Sequence, residues 1–144
     1  AKLSTAKKAQ VGAVIVKDDR IISIGYNGMP SGWSNECEEW VVNDGVTFKV
    51  NEADKDIYGH YKSKPEVLHA EANAITKLAK STESGEGATM FTTHLPCIEC
   101  AKLLYQSGIG TVYYDIEYNA SKGKGKDFLL KSGVQLKKLG DDIE

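Results

Sequence analysis

Cysteine is scarce in this chain: 144 residues contain three, an odd number and too few for a disulfide framework. A reducing, cytoplasmic setting is the simpler expectation, with the thiols free or bound to metal. Long apolar runs are also missing. No stretch approaches the roughly 20 residues of a membrane-spanning helix, and no signal-peptide pattern opens the sequence. A basic surplus is absent as well, since 18 Lys and Arg stand against 20 Asp and Glu for a net charge of −2. That argues against a protein held by the phosphates of a nucleic-acid polymer, but not against a mononucleotide, which needs only a few local donors. What is present is ordinary globular material, 41% hydrophobic and 26% charged. It suits one domain over residues 1–144 with a core of its own.

Two short strands are expected at Val11–Val16 and Arg20–Gly25, around a polar Lys17-Asp18-Asp19 turn. Residues 28–65 then read as a long connection rich in Gly, Pro, Asn and charged residues, of the length that usually carries function. A helix follows Pro65 and runs to about Lys80. Further on, "TMFTTHL" reads as a strand and "PCIECAKLLYQSG" as a helix with Pro96 in its first turn and Gly108 past its end. "IGTVYYDI", "KDFLLKS" and "VQLKKL" read as strand, short helix and strand. This alternation predicts an α/β fold whose sheet is parallel or mixed.

The helix "VLHAEANAITKLAK" poses a chemical problem. Leu68, Ile75, Leu78 and Ala79 form a core-like stripe at helical spacing, and Glu71 falls within it. An unpaired buried carboxylate is expensive. Metal chemistry nearby resolves the difficulty. Cys97 and Cys100 stand i, i+3 at a helix start, where backbone N–H groups favour thiolates. With His69 they make a ligand set that suits Zn²⁺ and leaves a fourth position open for water. Mid-helix, side chains at i and i+2 diverge, so Glu71 is not a fourth ligand. With His69 at the helix start, Glu71 reaches that water and shuttles its protons, with its proton affinity raised by burial. A lone C-x-x-C is often structural, and a lone histidine is more often a core or cap residue. H-x-E followed by P-C-x-x-C is the zinc deaminase pattern, and "HAEANAI" with "LPCIEC" reproduces it in full.

Beyond that pattern, "VGAVIVKDDRIISIGYNGMPSGWSN", "LHAEANAI" and "PCIECAKLLYQSGI" resemble the deoxycytidylate (dCMP) deaminase family, especially its phage and bacterial members, over Val11 to about Tyr118. The resemblance implies a cytidine deaminase-like three-layer α/β/α sandwich around a five-stranded mixed sheet. It implies deamination of dCMP to dUMP and ammonia, supplying thymidylate synthesis, with one catalytic Zn²⁺ per chain. It assigns deoxyribose contact to Asn27, pyrimidine reading to the backbone at Ala70, and the pocket rim to Tyr118. It also implies activation by dCTP and inhibition by dTTP, with Mg²⁺ accompanying the effector. That effector would lie on the loop Gly28, Met29, Pro30, Ser31 and Gly32 of a homohexamer. Without the flanking match, this loop reads as an ordinary Gly/Pro turn.

Some phage relatives carry a second, structural zinc. Here "TAKKAQVGA" offers no cysteine, which leaves Cys37 and His60 without an obvious full ligand set. His94 reads equally as a pocket residue or a structural one, and Lys122, Lys124 and Lys126 as a phosphate contact or, more often, a solvated loop. Two rival functions remain: deamination of another cytosine nucleoside or nucleotide, and a non-catalytic zinc-containing nucleotide-binding protein. The intact Glu71 weighs against the second, because a structural zinc has no use for it.

Overall fold

The computed structural model describes residues 1–42, 59–117 and 124–140. It opens with β1 (Gly12–Lys17) and β2 (Arg20–Tyr26), paired antiparallel. Asp18 and Asp19 join them at φ 51° and 59°, the left-handed conformation that a two-residue type I′ hairpin requires and that Asp tolerates. Within the stretch expected to be one long connection, two strands appear instead, β3 (Glu38–Val42) and β4 (Gly59–Ser63). They form their own antiparallel pair, in which Trp40 faces Tyr61 with the rings edge-to-face and centroids 5.2 Å apart. Such cross-strand aromatic pairs stabilise short strands whose local composition favours coil.

The remaining elements alternate as expected: α1 (Ala70–Ala79), β5 (Thr89–His94), α2 (Ile98–Gln106), β6 (Thr111–Ile116), α3 (Gly125–Lys131) and β7 (Gln135–Lys138). The main sheet runs β2-β1-β5-β6-β7, with β1 antiparallel to both neighbours and β5, β6 and β7 parallel. This is the expected five-stranded mixed sheet. Pro96 does not fall in the first turn of α2 but just before Cys97, the residue that caps it.

The two parallel crossovers step the same way across the sheet, so their right-handedness puts α2 and α3 on one face. Ala13, Ile15, Met90 and Val112 point to that face and pack with Ala74, Leu104 and Leu129 into one core. Helix α1 lies on it too. Ser23 Oγ donates to the Ala74 carbonyl at 2.6 Å, and Asn73 Nδ2 donates to the Tyr26 carbonyl at 2.8 Å. Gly25 permits this approach, because a Cβ there would run into Ala70 O and stand 2.6 Å from Ala74 N. The three described helices thus lie together on this face of the sheet. On the opposite face Phe91 stacks on Tyr113 with centroids 4.9 Å apart. None of the described helices is long and apolar enough to cross a membrane.

Candidate active site

Two helix starts converge beside the core. His69 is the residue capping α1 (φ −73°, ψ 152°), and Cys97 caps α2 (φ −71°, ψ 168°). Neither side chain makes the capping hydrogen bond to its own helix. Both are therefore turned to each other, and Cys100 joins them from the first turn of α2. His69 Nδ1 lies 3.5 Å from Cys97 Sγ and 3.4 Å from Cys100 Sγ. Tetrahedral zinc, with bonds of about 2.3 Å to sulfur and 2.0–2.1 Å to nitrogen, sets such atoms about 3.5 Å apart. The donor set and its spacing fit zinc. These three residues are also the one His/Cys/Asp/Glu group of metal-holding geometry among the described residues.

The buried face of α1 is Ala70, Glu71, Ala74 and Leu78. Glu71 thus occupies the apolar stripe as expected. Ala79, expected there as well, is exposed, and Leu68 and Ile75 are half-buried. Only 4% of Glu71 is exposed, and burial pushes its carboxyl above the ordinary carboxylate range. Its own backbone N–H, His69 and the Cys100 thiol oppose that rise without cancelling it. Thr92, on β5, donates a long 3.4 Å hydrogen bond from Oγ1 to Glu71 Oε1, shared with the His94 carbonyl at 3.1 Å. No sequence pattern pointed to Thr92, which reads as one more β-former in a strand.

The two thiols are driven in opposite directions. A hydrogen bond from Cys100, and then His69, draws the Cys97 thiol far below its ordinary value of 9.0. The same bond to Cys97, with burial, pushes Cys100 up, while the Ala72 backbone N–H pulls the other way. A divalent cation here would ionise both, as coordinated thiols are deprotonated outright.

Elsewhere the expected site residues are spread. Asn27 ends the β2 hairpin; its Oδ1 accepts from Val11 N–H at 2.9 Å and Ser4 Oγ at 2.5 Å, and its Nδ2 donates to Ala9 O at 2.8 Å. Ala70 is fully buried in the first turn of α1. Gly28 exchanges both backbone hydrogen bonds with Leu68, at 3.1 and 2.8 Å, so the loop Gly28–Gly32 leaves the sheet one residue from His69. Met29 and Pro30 are half-buried there, while Ser31 and Gly32 are exposed. Tyr118 and Lys122 lie outside the described residues. Lys126 pairs with Glu117 at 3.0 Å, and Lys124 is exposed. His94 shares a 2.8 Å hydrogen bond with the Thr93 hydroxyl. Cys37 is buried with its sulfur 3.3 Å from Thr5 Oγ1, and His60 is exposed on β4, opposite Val41.

The profile of the cytidine and deoxycytidylate deaminase zinc-binding region matches residues 1–116. The chain belongs to this deaminase family. Among the family's members, the deoxycytidylate deaminase of Enterobacteria phage T4 is 37% identical over 150 residues, covering 88% of this chain and 77% of its own. The human deoxycytidylate deaminase is 37% identical over 115 residues, which cover 79% of this chain and 57% of the human one. The crystal structure of the cyanophage S-TIM5 dCMP deaminase in complex with dCMP and dUMP superposes with a TM-score of 0.77 at 39% identity, covering 96% of this chain and 87% of that one. The sheet order and helix placement described above are thus the cytidine deaminase-like fold, and His69, Cys97 and Cys100 are the candidate zinc site of a family defined by one.

Proposed function

We propose that this chain, one deaminase domain, hydrolyses dCMP to dUMP and ammonia and so feeds thymidylate synthesis. The observation carrying this is a buried carboxylate, Glu71, two residues from a zinc-compatible His69/Cys97/Cys100 cluster. The phage relatives named above support dCMP as the substrate. His69, Cys97 and Cys100 hold the metal. Zinc bound there supplies the charge that brings the pKa of water toward neutrality. Glu71 takes the proton of the attacking water, passes it to N3 of the cytosine, and then relays a proton to the amine leaving C4. The raised proton affinity that burial gives Glu71 suits both steps. The Ala70 backbone reads the pyrimidine. Asn27 uses one amide N–H on Ala9 and has a second for the deoxyribose. Tyr118 closes the pocket rim.

Ammonia release from dCMP, set against CMP, dCTP and deoxycytidine, tests this reading. dCMP is expected to be the preferred substrate by kcat/KM. Equal or faster turnover of deoxycytidine would overturn the nucleotide assignment while leaving the deaminase chemistry in place.

The same reading extends to regulation in a cytoplasmic homohexamer, with dCTP and Mg²⁺ activating and dTTP inhibiting at Gly28–Gly32. The Gly28–Leu68 backbone pairing supports it, since movement of the loop bears directly on the strand entering His69. An effector shifts such an equilibrium only by binding one state better. Sigmoidal dCMP kinetics that become hyperbolic with dCTP are expected. Gly32 sits at φ 86° in open space, so Gly32→Leu strains the loop without touching the core. It is expected to abolish the dCTP response and preserve the rate at saturating dCMP. Hyperbolic kinetics indifferent to both nucleotides in the unaltered enzyme would end the regulatory claim.

A further inference from the structure

Helix α3, the last of the described helices, begins against the candidate metal site. Gly125, its first residue, is buried, and a Cβ built there would run into Pro96 O and stand 2.8 Å from Cys97 C and 3.0 Å from Cys97 O. All three are main-chain atoms, and these distances are well inside the roughly 3.5 Å at which carbon atoms make van der Waals contact. A flexible side chain could step aside; a peptide group carrying a metal ligand cannot do so without taking the ligand along.

Neither partner is free to retreat. The Cys97 carbonyl accepts the Ala101 N–H at 2.8 Å, the first hydrogen bond of α2. Ala101 and Leu104, both fully buried, pin that helix to the core. On the other side, Leu129 is fully buried, and Phe128 meets Tyr105 edge-to-face with centroids 6.0 Å apart, so α3 is pinned to the same core and to α2. The Cys97 side chain makes no capping bond to its own helix and lies 3.5 Å from His69 Nδ1, so a shift of its backbone carries Sγ away from that partner.

We propose that Gly125 is a positioning residue for the metal centre: its lack of a side chain lets α3 lie on the Pro96–Cys97 peptide and fixes where Cys97 presents its sulfur. The inference rests on the reading of His69, Cys97 and Cys100 as zinc ligands. Metal–ligand distances hold to within about 0.2 Å, and the groups that orient ligands are typically worth 10–100-fold in metal affinity. Gly125→Ala is therefore expected to weaken zinc binding about 10–100-fold. Gly110→Ala, where a Cβ meets nothing within 4 Å, is the matched control and leaves affinity unchanged.

The test is competition for zinc against a chromophoric chelator in the unaltered protein and both variants, with the thiolate-to-cobalt absorption of the Co²⁺-loaded forms as a second readout. A general loss of stability lowers the melting temperature but leaves the cobalt spectrum alone; a displaced Cys97 sulfur alters it. Tight zinc binding by the unaltered protein with equal affinity and an unchanged spectrum in Gly125→Ala would overturn the positioning role alone. Failure of the unaltered protein to bind zinc through these ligands would overturn the functional reading beneath it. Amide exchange on the unaltered protein tests the same coupling if the variant does not fold. Zinc loading is expected to slow exchange at the start of α3 more than in the β1–β2 hairpin, and equal slowing would count against the proposal.

Discussion

Glu71→Gln is expected to retain zinc and nucleotide binding while turning dCMP over about 10²–10⁴-fold more slowly, the range lost with a general acid–base group. Glutamine fills the same buried volume on α1 and still accepts from Thr92, so packing and hydrogen bonding survive while proton transfer does not. Full activity would sink the mechanism, and loss of the metal would make Glu71 a ligand after all. A second measurement separates the electrostatics from the catalysis. Burial raises the folded-state pKa of Glu71 above its ordinary 4.5, so between those values the folded, metal-free protein binds more protons than the unfolded chain. The stability this group contributes is complete below about pH 4.5 and is lost as pH rises through the folded value. Glutamine suffers no such loss. In urea unfolding of metal-free protein from about pH 4 to 8, the variant's advantage over the unaltered chain is expected to start near zero and grow with pH. A pH-independent difference would mean that Glu71 is not held in a desolvated site.

Why Glu71 was legible in the sequence, and Thr92 and Gly125 were not, follows from the range over which each signal acts. The proposed ligands sit at two helix starts, and the relation between His69 and Glu71, or Cys97 and Cys100, is local. Residue type and spacing therefore carry it. Helix ends, the β1–β2 hairpin and the strand–helix alternation are similarly local, which is why the five main strands and three helices were expected in their order. Thr92 meets Glu71 only because β5 and α1 pack together 21 positions apart, and Gly125 meets Cys97 only because α3 folds back on α2. The β3–β4 pair failed for the same reason. "GHYKS" has a glycine, a histidine and a lysine where strand-forming residues would announce a strand, and its partner lies beyond a long intervening segment. The pairing of Trp40 with Tyr61 depends on register and is invisible from either strand alone. Asn27 shows a different limit. Its proposed contact with the deoxyribose rests on resemblance, whereas its hydrogen bonds to Val11, Ser4 and Ala9 show a residue that clasps the segment leading into β1.

Metal removal is expected to abolish deamination and leave the fold standing. A structural zinc organises its own surroundings, and small domains built on one unfold without it. Here the core of Ile15, Met90, Leu104, Val112 and Leu129 is assembled from strands and helix middles, while the proposed ligands occupy the helix starts beside it. Stripping zinc with a chelator should therefore bring dCMP turnover to background with the far-ultraviolet circular dichroism unchanged, and added zinc should restore the activity. Cys100→Ala makes the same point without a chelator. It removes one of the three proposed protein ligands and a buried thiol. Its stability cost is expected to be about 1 kcal/mol, typical of a single substitution, and thus a shift of a few degrees in melting temperature. Its activity should stay at background however much zinc is supplied, since two ligands cannot reproduce the three-point site. A chelated protein that loses its secondary structure, or a Cys100→Ala variant that recovers deamination on adding zinc, would show that the cluster staples the fold and that the chemistry lies elsewhere.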